Sequence, residues 1–332
     1  MLDETLNQIT AYYYPIYFGL GITLNLLLYY LIFTKTTRVF KSMKLFLIPA
    51  NTSTMILSIL TFSLQVRTVN NEKSLAVMGQ GFCKYIGPEA CFHSYILLLT
   101  FTSIVGIMNL HTIYYRMISM KYQDRKYIRR KITLFCFHYL VPLLVLVLSY
   151  IPKMDMTAVY KETLNEHNDY HFEPFGEFGG FVNSHSIYQT MVTLCLAIMT
   201  IYAPIFGYYC RRNALKILNS TKKSLSEKSI MQFKSLIQGL TLQIMLPLIC
   251  YVPVATFFVY NKYSGYGQLL FSQYLIGMLS TLPAVLDPLL TIYFIVPYRN
   301  ALFNIFKHRQ SSAVETENIV FHKSSIMIPN VA

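Results

Sequence analysis

The stretch 281-TLPAVLDPLLTIYFIVPYRNAL-302 places one acid, Asp287, and three prolines inside an apolar run. In a water-soluble protein, a charged side chain buried among apolar residues is costly, and proline interrupts a helix. In a membrane helix, an ionisable residue instead faces the interior of the bundle and marks a functional position. The interpretation of this stretch therefore depends on whether it is surrounded by water or by lipid.

The composition favours a lipid environment. Of the 332 residues, 54% are hydrophobic and only 13% are charged, whereas soluble domains have about 25% charged residues. Seven apolar runs are long enough for the roughly 20-residue helix that crosses a bilayer. Their approximate bounds are 12–33, 45–66, 88–113, 132–151, 186–209, 236–260 and 271–296. We predict an all-α integral membrane protein whose residues 12–296 form a seven-transmembrane helix bundle, because backbone polar groups within lipid must be satisfied internally.

The basic residues predict the orientation of the bundle. The chain carries 28 Lys and Arg, and 22 of them lie in the loops 34–44, 116–131 and 210–235 and in the tail 297–332. The positive-inside rule places these segments in the cytoplasm and residues 1–11 outside the cell. The tail is expected to begin with a short amphipathic helix on the inner leaflet. Topology thus explains the net charge of +13, and the sequence has no motif of a nucleic-acid-binding protein.

Several polar residues lie at a similar depth in the half of the bundle that is predicted to face the cytoplasm. They are Asn25, Asn51, Ser53, Asn109 and Asp287. An acid within the membrane is expected to pair with interior partners, so one hypothesis is a polar layer centred on Asp287, with Pro288 as an adjacent hinge and Tyr293 as a further switch residue. The alternative is that each group satisfies a nearby backbone carbonyl or joins two helices locally.

Four segments carry a resemblance to a known family. They are 287-DPLLTIYFIVPYR-299, 109-NLHTIYYR-116, 83-CKYIGPEACF-92 and 235-SLIQGLTLQIMLPLICYVP-253. These segments resemble the nematode serpentine chemoreceptors, closest to class delta (the Srd group), and the likeness covers nearly the whole chain. It implies a G-protein-coupled receptor that binds a small-molecule odorant or pheromone from outside and activates the α subunit of a heterotrimeric G protein. It also implies a multi-pass protein of the plasma membrane, in the cilium of a sensory neuron.

The resemblance to rhodopsin-like receptors is weaker. Asp287-Pro288 stands where that family has an Asn/Asp-Pro pair, but the next tyrosine, Tyr293, lies five residues past the proline instead of three. Arg116 matches an arginine of that family, but Tyr114 and Tyr115 precede it in place of an acid, and the chain has no tryptophan. These departures leave the switching mechanism open.

Two sets of candidate site residues follow. The polar and aromatic residues in the outer halves of the spans, where a ligand would enter between helices, are His93, Tyr95, Tyr188, Gln189, Tyr260, Gln273 and Tyr274. The residues expected to face a G protein are Tyr115, Arg116, Arg211, Arg212, Lys234, Tyr298 and Arg299. The first set equally suits interface anchors, and the cations of the second equally suit topology signals.

Cys83 and Cys91 flank the start of the third predicted span. They either form a disulfide across the Gly87-Pro88 turn, in an oxidising compartment, or stay free. A straight helix would hold them about 12 Å apart, which is too far for the bond.

The sequence has no motif of a hydrolase or a phosphate-binding enzyme, and we expect no enzymatic activity, cofactor or metal. The main alternative to a receptor is a transporter or channel that uses Asp287 as an ion or proton site. A transporter would be expected to have paired broken helices or an internal repeat, and neither is visible in the sequence.

Overall fold

The computed structural model describes residues 2–37, 42–122, 124–152, 154–220, 226–263 and 269–304. Among these residues, seven helical segments are long and apolar enough to cross a membrane, as predicted. The helices are α1 (Leu2–Thr34), α2 (Lys44–Leu64), α3 (Pro88–Lys121), α4 (Arg125–Phe135), α5 (Leu140–Tyr150), α6 (Met156–Glu166), α7 (Ile187–Ser220), α8 (Glu227–Tyr263) and α9 (Leu270–Phe294). A 3-10 turn at Cys136–Tyr139 joins α4 to α5, and together they form the fourth span.

Several helices extend beyond the predicted apolar runs, because a run of apolar residues marks only the part of a helix that lies in lipid. The first helix begins at Leu2, ten residues before the predicted span, and its first turn contains Asp3 and Glu4. Acids in this position are favoured by the positive end of the helix dipole. After α9, residues 296–304 are again helical, and the rest of the predicted tail lies outside the described residues.

One end of the bundle carries a small three-stranded sheet that the sequence analysis did not predict. Strands β1 (Val66–Asn70) and β2 (Leu75–Gly79) form an antiparallel hairpin between α2 and α3. Strand β3 (Gly179–Phe181) pairs antiparallel with β2 and comes from the segment before α7. A Cβ atom at position 180 would collide with the carbonyl oxygen of Leu75, so this pairing needs Gly180.

The sheet is covered by a layer of apolar side chains. Val159 of α6 belongs to one buried cluster with Val69 of β1, Met78 of β2, Phe172 and Phe178, among others. We call the sheet, α6 and residues 167–178 the cap, and we call the two ends of the bundle the cap end and the opposite end.

A disulfide lies where β2 of the cap meets α3 of the bundle. The structure joins Cys83 and Cys91, whose Cα atoms are 5.0 Å apart. Cys83 lies in a 3-10 helix, Phe82–Tyr85, and the chain reverses at Gly87, with φ at 136°, before α3 begins at Pro88. The two cysteines are therefore not on one straight helix, and the separation of about 12 Å does not apply.

Two apolar clusters fill the bundle, one in each half. Leu57 and Phe92 belong to the cluster at the cap end, and Leu31 and Ile113 to the cluster at the opposite end. Along α9, Ala284 belongs to the first cluster and Ile292 to the second. The buried Asp287 lies between these two residues, so along α9 an acid stands between the two clusters.

Candidate functional site

A cavity of about 220 Å³ lies inside the bundle between α3, α7, α8 and α9. Val66 and Thr68 of β1 line it at the cap end, and Asp287 of α9 lines it at its far end. On α9 the lining residues run from Ile276 to Asp287 at spacings that place them on one face of the helix. This stretch is about 16 Å long at 1.5 Å per residue, so the cavity is elongated along the bundle.

The wall of the cavity is mostly apolar, with side chains such as Leu99, Leu196 and Phe258. Among the described residues, no lysine, arginine or histidine lines it. Its serine and threonine hydroxyl groups are largely occupied, because they donate to carbonyl oxygens one turn back in their own helices. This holds for Thr102, Ser103, Thr193, Thr200 and Ser280.

Two of the seven predicted ligand residues line this cavity. Tyr95 on α3 and Gln189 on α7 are 7% and 3% exposed, respectively. His93, Tyr188 and Tyr260 are exposed on the bundle, and the ring of His93 lies 5.6 Å from that of Tyr150. The spans were placed correctly, but the rotation of each helix, which decides whether a side chain faces the cavity, is set by packing.

The other two predicted ligand residues, Gln273 and Tyr274, bind Arg67 instead of lining the cavity. Arg67 of β1 is 1% exposed, and its Nη1 atom lies 3.1 Å from a carboxylate oxygen of Asp3. It donates to the Tyr274 hydroxyl oxygen at 2.6 Å and, through Nε, to the Gln273 side-chain oxygen at 3.1 Å. We call these four residues the Arg67 clasp. It joins α1, β1 and α9 at the cap end.

Aromatic rings of the cap complete the surroundings of Arg67. The guanidinium carbon lies 5.2 Å, 5.7 Å and 5.5 Å from the ring centres of Tyr170, Phe172 and Phe175. These separations suit cation–π attraction. The backbone N–H of His171 also donates to Asp3 at 2.8 Å. Arg67 lies between the cavity-lining residues Val66 and Thr68, so the clasp holds the part of β1 that lines the cavity at the cap end.

Sequence reasoning missed the Arg67 clasp. By charge alone, Arg67 is only one of the six lysines and arginines outside the four basic segments. The available signal was a lone arginine within the β-branched stretch 66-VRTVN-70, together with an acid, Asp3, near the start of the first helix. Their pairing spans 64 positions of the chain, and no local pattern specifies it.

The polar layer contains a direct bond between two of its predicted members. The side-chain nitrogen of Asn109 on α3 donates to a carboxylate oxygen of Asp287 on α9 at 2.9 Å. Asn51 on α2 donates to the backbone oxygen of Asn25 on α1 at 3.1 Å. Asn25 itself donates to its own helix, and Ser53 contacts the sulfur of Met108. The layer is thus a set of interhelical bonds with some local ones.

A small cavity of about 20 Å³ joins the two parts of the layer. Asn51, Asn109 and Asp287 all line it, and this volume is sufficient for about one water molecule. Asp287 also lines the large cavity. The acid thus stands between the large cavity and the small one.

Gln243 on α8 is a member of the layer that sequence reasoning missed. Its side-chain nitrogen donates to the backbone oxygen of Asp287 at 3.0 Å and to the Thr291 hydroxyl at 2.7 Å. It lines both cavities and holds α8 against α9 beside Pro288. Gln243 lies well inside an apolar span, so the reasoning applied to Asp287 could have found it. Tyr293, by contrast, is exposed on the bundle surface.

At the opposite end, the predicted G-protein-facing residues divide into buried and exposed ones. Arg116 is 5% exposed, and its guanidinium carbon lies 4.1 Å from the ring centre of Phe233 on α8. Tyr298 is fully buried, and its hydroxyl group bonds that of Thr36 at 2.8 Å. The ring of Tyr115 stacks on that of Phe46 at 4.4 Å.

The remaining cations of this set are closer to the surface. Arg212 and Lys234 are exposed, and Arg211 is half-buried. The half-buried Arg299 lies 5.5 Å from the ring of Tyr293. The opposite end therefore combines buried contacts between helices with a basic outer surface.

Comparison with known proteins identifies the family. A family model described as "Serpentine type 7TM GPCR chemoreceptor Srd" matches residues 10–304. Serpentine receptor class delta-63 of Caenorhabditis elegans is 37% identical over 80% of this chain and 82% of that protein. Serpentine receptor class delta-59 of the same organism is 31% identical, over 92% and 94% of the two chains.

A solved structure shows the same fold. Squid rhodopsin superposes with a TM-score of 0.61 at 15% identity, covering 98% of this chain and 93% of that one. With the seven spans and the match to the family model over most of its length, this multi-pass membrane protein belongs to the Srd family of serpentine seven-transmembrane chemoreceptors.

Proposed function

We propose that this receptor binds a small molecule in the cavity of about 220 Å³ and activates a heterotrimeric G protein at the opposite end of the bundle. The observation that carries the proposal is the position of Asp287, which lines both the large cavity and the small cavity of the polar layer. A ligand that reaches the far end of the cavity contacts Asp287 and so the polar layer between the two apolar clusters. Occupancy is thereby coupled to the packing of the opposite end.

The charge distribution supports the direction of signalling. The opposite end carries the loops rich in lysine and arginine, which suits a cytoplasmic face. The Cys83–Cys91 disulfide lies at the cap end, against β2, which suits the oxidising side of the membrane. We therefore place the cap outside the cell and the G protein at the basic end. The plasma membrane of a sensory cilium is the location that the family likeness suggests.

The switch is proposed to lie in the contacts between α3, α8 and α9. Arg116 on α3 packs on Phe233 of α8, and Gln243 of α8 bonds α9 beside Pro288. A shift of α8 that breaks these contacts would expose Arg116 to a partner. Proline within α8 and α9 provides points at which each helix can bend.

The test is nucleotide exchange with purified components. Receptor in lipid nanodiscs is mixed with Gα subunits and candidate ligands, and ligand-dependent exchange is expected. The variant Arg116→Ala should lower exchange without lowering ligand binding, whereas the exposed Arg130→Ala serves as a matched control. Ion flux in liposomes, with no exchange on any Gα, would instead support a channel or transporter that uses Asp287.

A further inference from the structure

The shape and size of the large cavity limit the ligand. Its volume of about 220 Å³ is below the roughly 300–1,000 Å³ of sites for drug-sized molecules. It exceeds the apolar cavity of about 150 Å³ that holds benzene in another protein. Because the volume is spread along about 16 Å of α9, from Ile276 to Asp287, an extended molecule fits better than a compact one.

The charges around the cavity limit the ligand further. Of the described lining residues, none is a lysine, arginine or histidine, so a bound anion would have no compensating charge. Arg67, which adjoins the lining residues of β1 at the cap end, is already paired with Asp3. The acid of the lining, Asp287, accepts from Asn109 at the far end of the cavity. Its second carboxylate oxygen, Oδ1, has no hydrogen-bond partner among the described residues. The lining therefore disfavours an anion, and away from Asp287 it offers no charge to a ligand group of either sign.

One polar atom near the cap end is available to orient such a molecule. Gln189 lines the cavity in the first turn of α7 and is 3% exposed. Its Oε1 atom has no hydrogen-bond partner among the described residues. The hydroxyl group of Thr193, one turn further along α7, is satisfied by the backbone oxygen of Gln189. A buried acceptor without a partner is costly, and a ligand that donates to it recovers that free energy.

We propose that the ligand is an elongated, uncharged and largely apolar molecule with a hydroxyl or similar donor at one end, which Gln189 Oε1 accepts. The apolar part extends from Gln189 towards the polar layer, along Leu99, Leu196 and Phe258. This inference rests on the proposed function and names the ligand class of the same cavity. Gln189 then selects for the donor group, and the length of the cavity selects for an extended shape.

Direct binding is measured on the full-length receptor in nanodiscs, as the rise in melting temperature that a ligand of the folded state produces. The probes are 1-octanol, octyl methyl ether, cyclooctanol, octanoate and octylamine. We expect 1-octanol to stabilise the receptor. The ether should need an about three- to tenfold higher concentration for the same rise in melting temperature, since it cannot donate to Gln189. Cyclooctanol should be weaker, and the two charged probes should have no effect.

Paired variants separate binding in the cavity from effects on the lipid. Ala255→Phe fills the cavity from α8 and should abolish the response to 1-octanol. Thr256→Phe adds the same ring at the adjacent, exposed position and should keep it. Gln189→Leu should remove the difference between the alcohol and the ether while leaving binding of both.

The outcomes that overturn the inference are distinct. Stabilisation by octanoate equal to that by 1-octanol would refute the uncharged class, as would the lack of any response to the neutral probes. Stabilisation by octylamine that Asp287→Asn abolishes would identify an amine paired with the acid. Equal responses to alcohol and ether would refute the role of Gln189. Binding without nucleotide exchange on any Gα would leave the ligand class intact and refute the proposed function.

Discussion

Arg67 is held by partners that come from three separate parts of the chain. A buried guanidinium group loses its hydration, and that loss is offset only when an acid and further acceptors surround it. Asp3 supplies the opposite charge, and Gln273 and Tyr274 supply oxygen atoms. The cap adds the faces of three aromatic rings, beginning with Tyr170. The clasp is therefore a set of interactions in which each member depends on the others.

Removing the cation should destabilise the receptor strongly. In Arg67→Met the carboxylate of Asp3 stays buried without its partner, and a loss of about 3–5 kcal/mol in the free energy of unfolding is expected. The measurement is the melting temperature in nanodiscs together with surface expression. Lys73→Met, at an exposed position of the cap hairpin, is the matched control and should have little effect.

A second variant tests whether the unpaired charge is the cause. Adding Asp3→Asn to Arg67→Met removes the buried charge, and part of the lost stability should return. A double variant as unstable as the single one would show that Arg67 acts through packing on the aromatic rings.

Asp287 should affect signalling more than folding. Asp287→Ala leaves the side-chain nitrogen of Asn109 without its acceptor, which costs about 1–3 kcal/mol. Asp287→Asn keeps an oxygen that can accept from Asn109 and should be milder. We expect both variants to reach the cell surface and Asp287→Ala to change basal and ligand-dependent nucleotide exchange. Loss of surface expression in both would show that Asp287 serves assembly.

At the scale of elements, the helices were predictable and the cap was not. Each span is a local run of apolar residues, so hydropathy alone found it. Strands β1 and β2 are short, and the pairing of β2 with β3 joins residues about a hundred positions apart, such as Leu75 and Phe181. Pairing at that distance is set by tertiary packing. The β-branched residues of 66-VRTVN-70 were the local signal that favoured a strand.

The candidate site divides in the same way. The depth of Asn109 and Asp287 in their spans could be read from the sequence, and depth alone placed them in one layer. Which residues face the large cavity depends on helix rotation, so Tyr95 and Gln189 were found together with three exposed residues. Gln273 and Tyr274 have a competing partner, Arg67, that no local pattern shows.

The disulfide should stabilise the cap end of the bundle through its short loop. It closes eight residues, and the loss of chain entropy in the unfolded state corresponds to about 2–3 kcal/mol. Cys83→Ser should lower the melting temperature and speed hydrogen exchange in β2. Cys136→Ser, at an exposed free cysteine, is the matched control. Equal effects of the two substitutions would contradict a structural role for the bond.

The cap should loosen in acid. Burial lowers the pKa of His167 below its ordinary value of 6.5, and the nearby Arg67 adds to this effect. The unfolded segment therefore binds a proton more readily than the folded one. The contribution of the neutral His167 to the stability of the cap is complete above about pH 6.5, the pKa of the unfolded segment. It is lost as the pH falls towards the lower pKa of the folded cap.

Hydrogen exchange measures this loosening. Peptides from the cap are compared at about pH 7.5 and about pH 5.5 after correction for intrinsic exchange rates. His167→Phe keeps a ring against Tyr170, whose centre lies 4.9 Å from that of His167, and removes the titration. The variant should be insensitive to this pH change, and an unchanged response would assign the effect to other groups of the cap.

At the scale of the whole molecule, the sequence gives an orientation that glycosylation can test. The positive-inside rule places the cap outside the cell and the end of α7 in the cytoplasm. The chain has an acceptor motif at 219-NST-221, at the end of α7, and it should stay unmodified. His167→Thr completes a new motif at the exposed Asn165 of the cap.

Expression in cells followed by glycosidase digestion gives a direct readout of mass. The natural chain should show no shift, and His167→Thr should gain one glycan that the enzyme removes. His167→Thr combined with Asn165→Gln is the control and should lose the glycan. A glycan on the natural chain that Asn219→Gln abolishes would place the basic end outside. Since a G protein is available only in the cytoplasm, this result would refute the proposed direction of signalling.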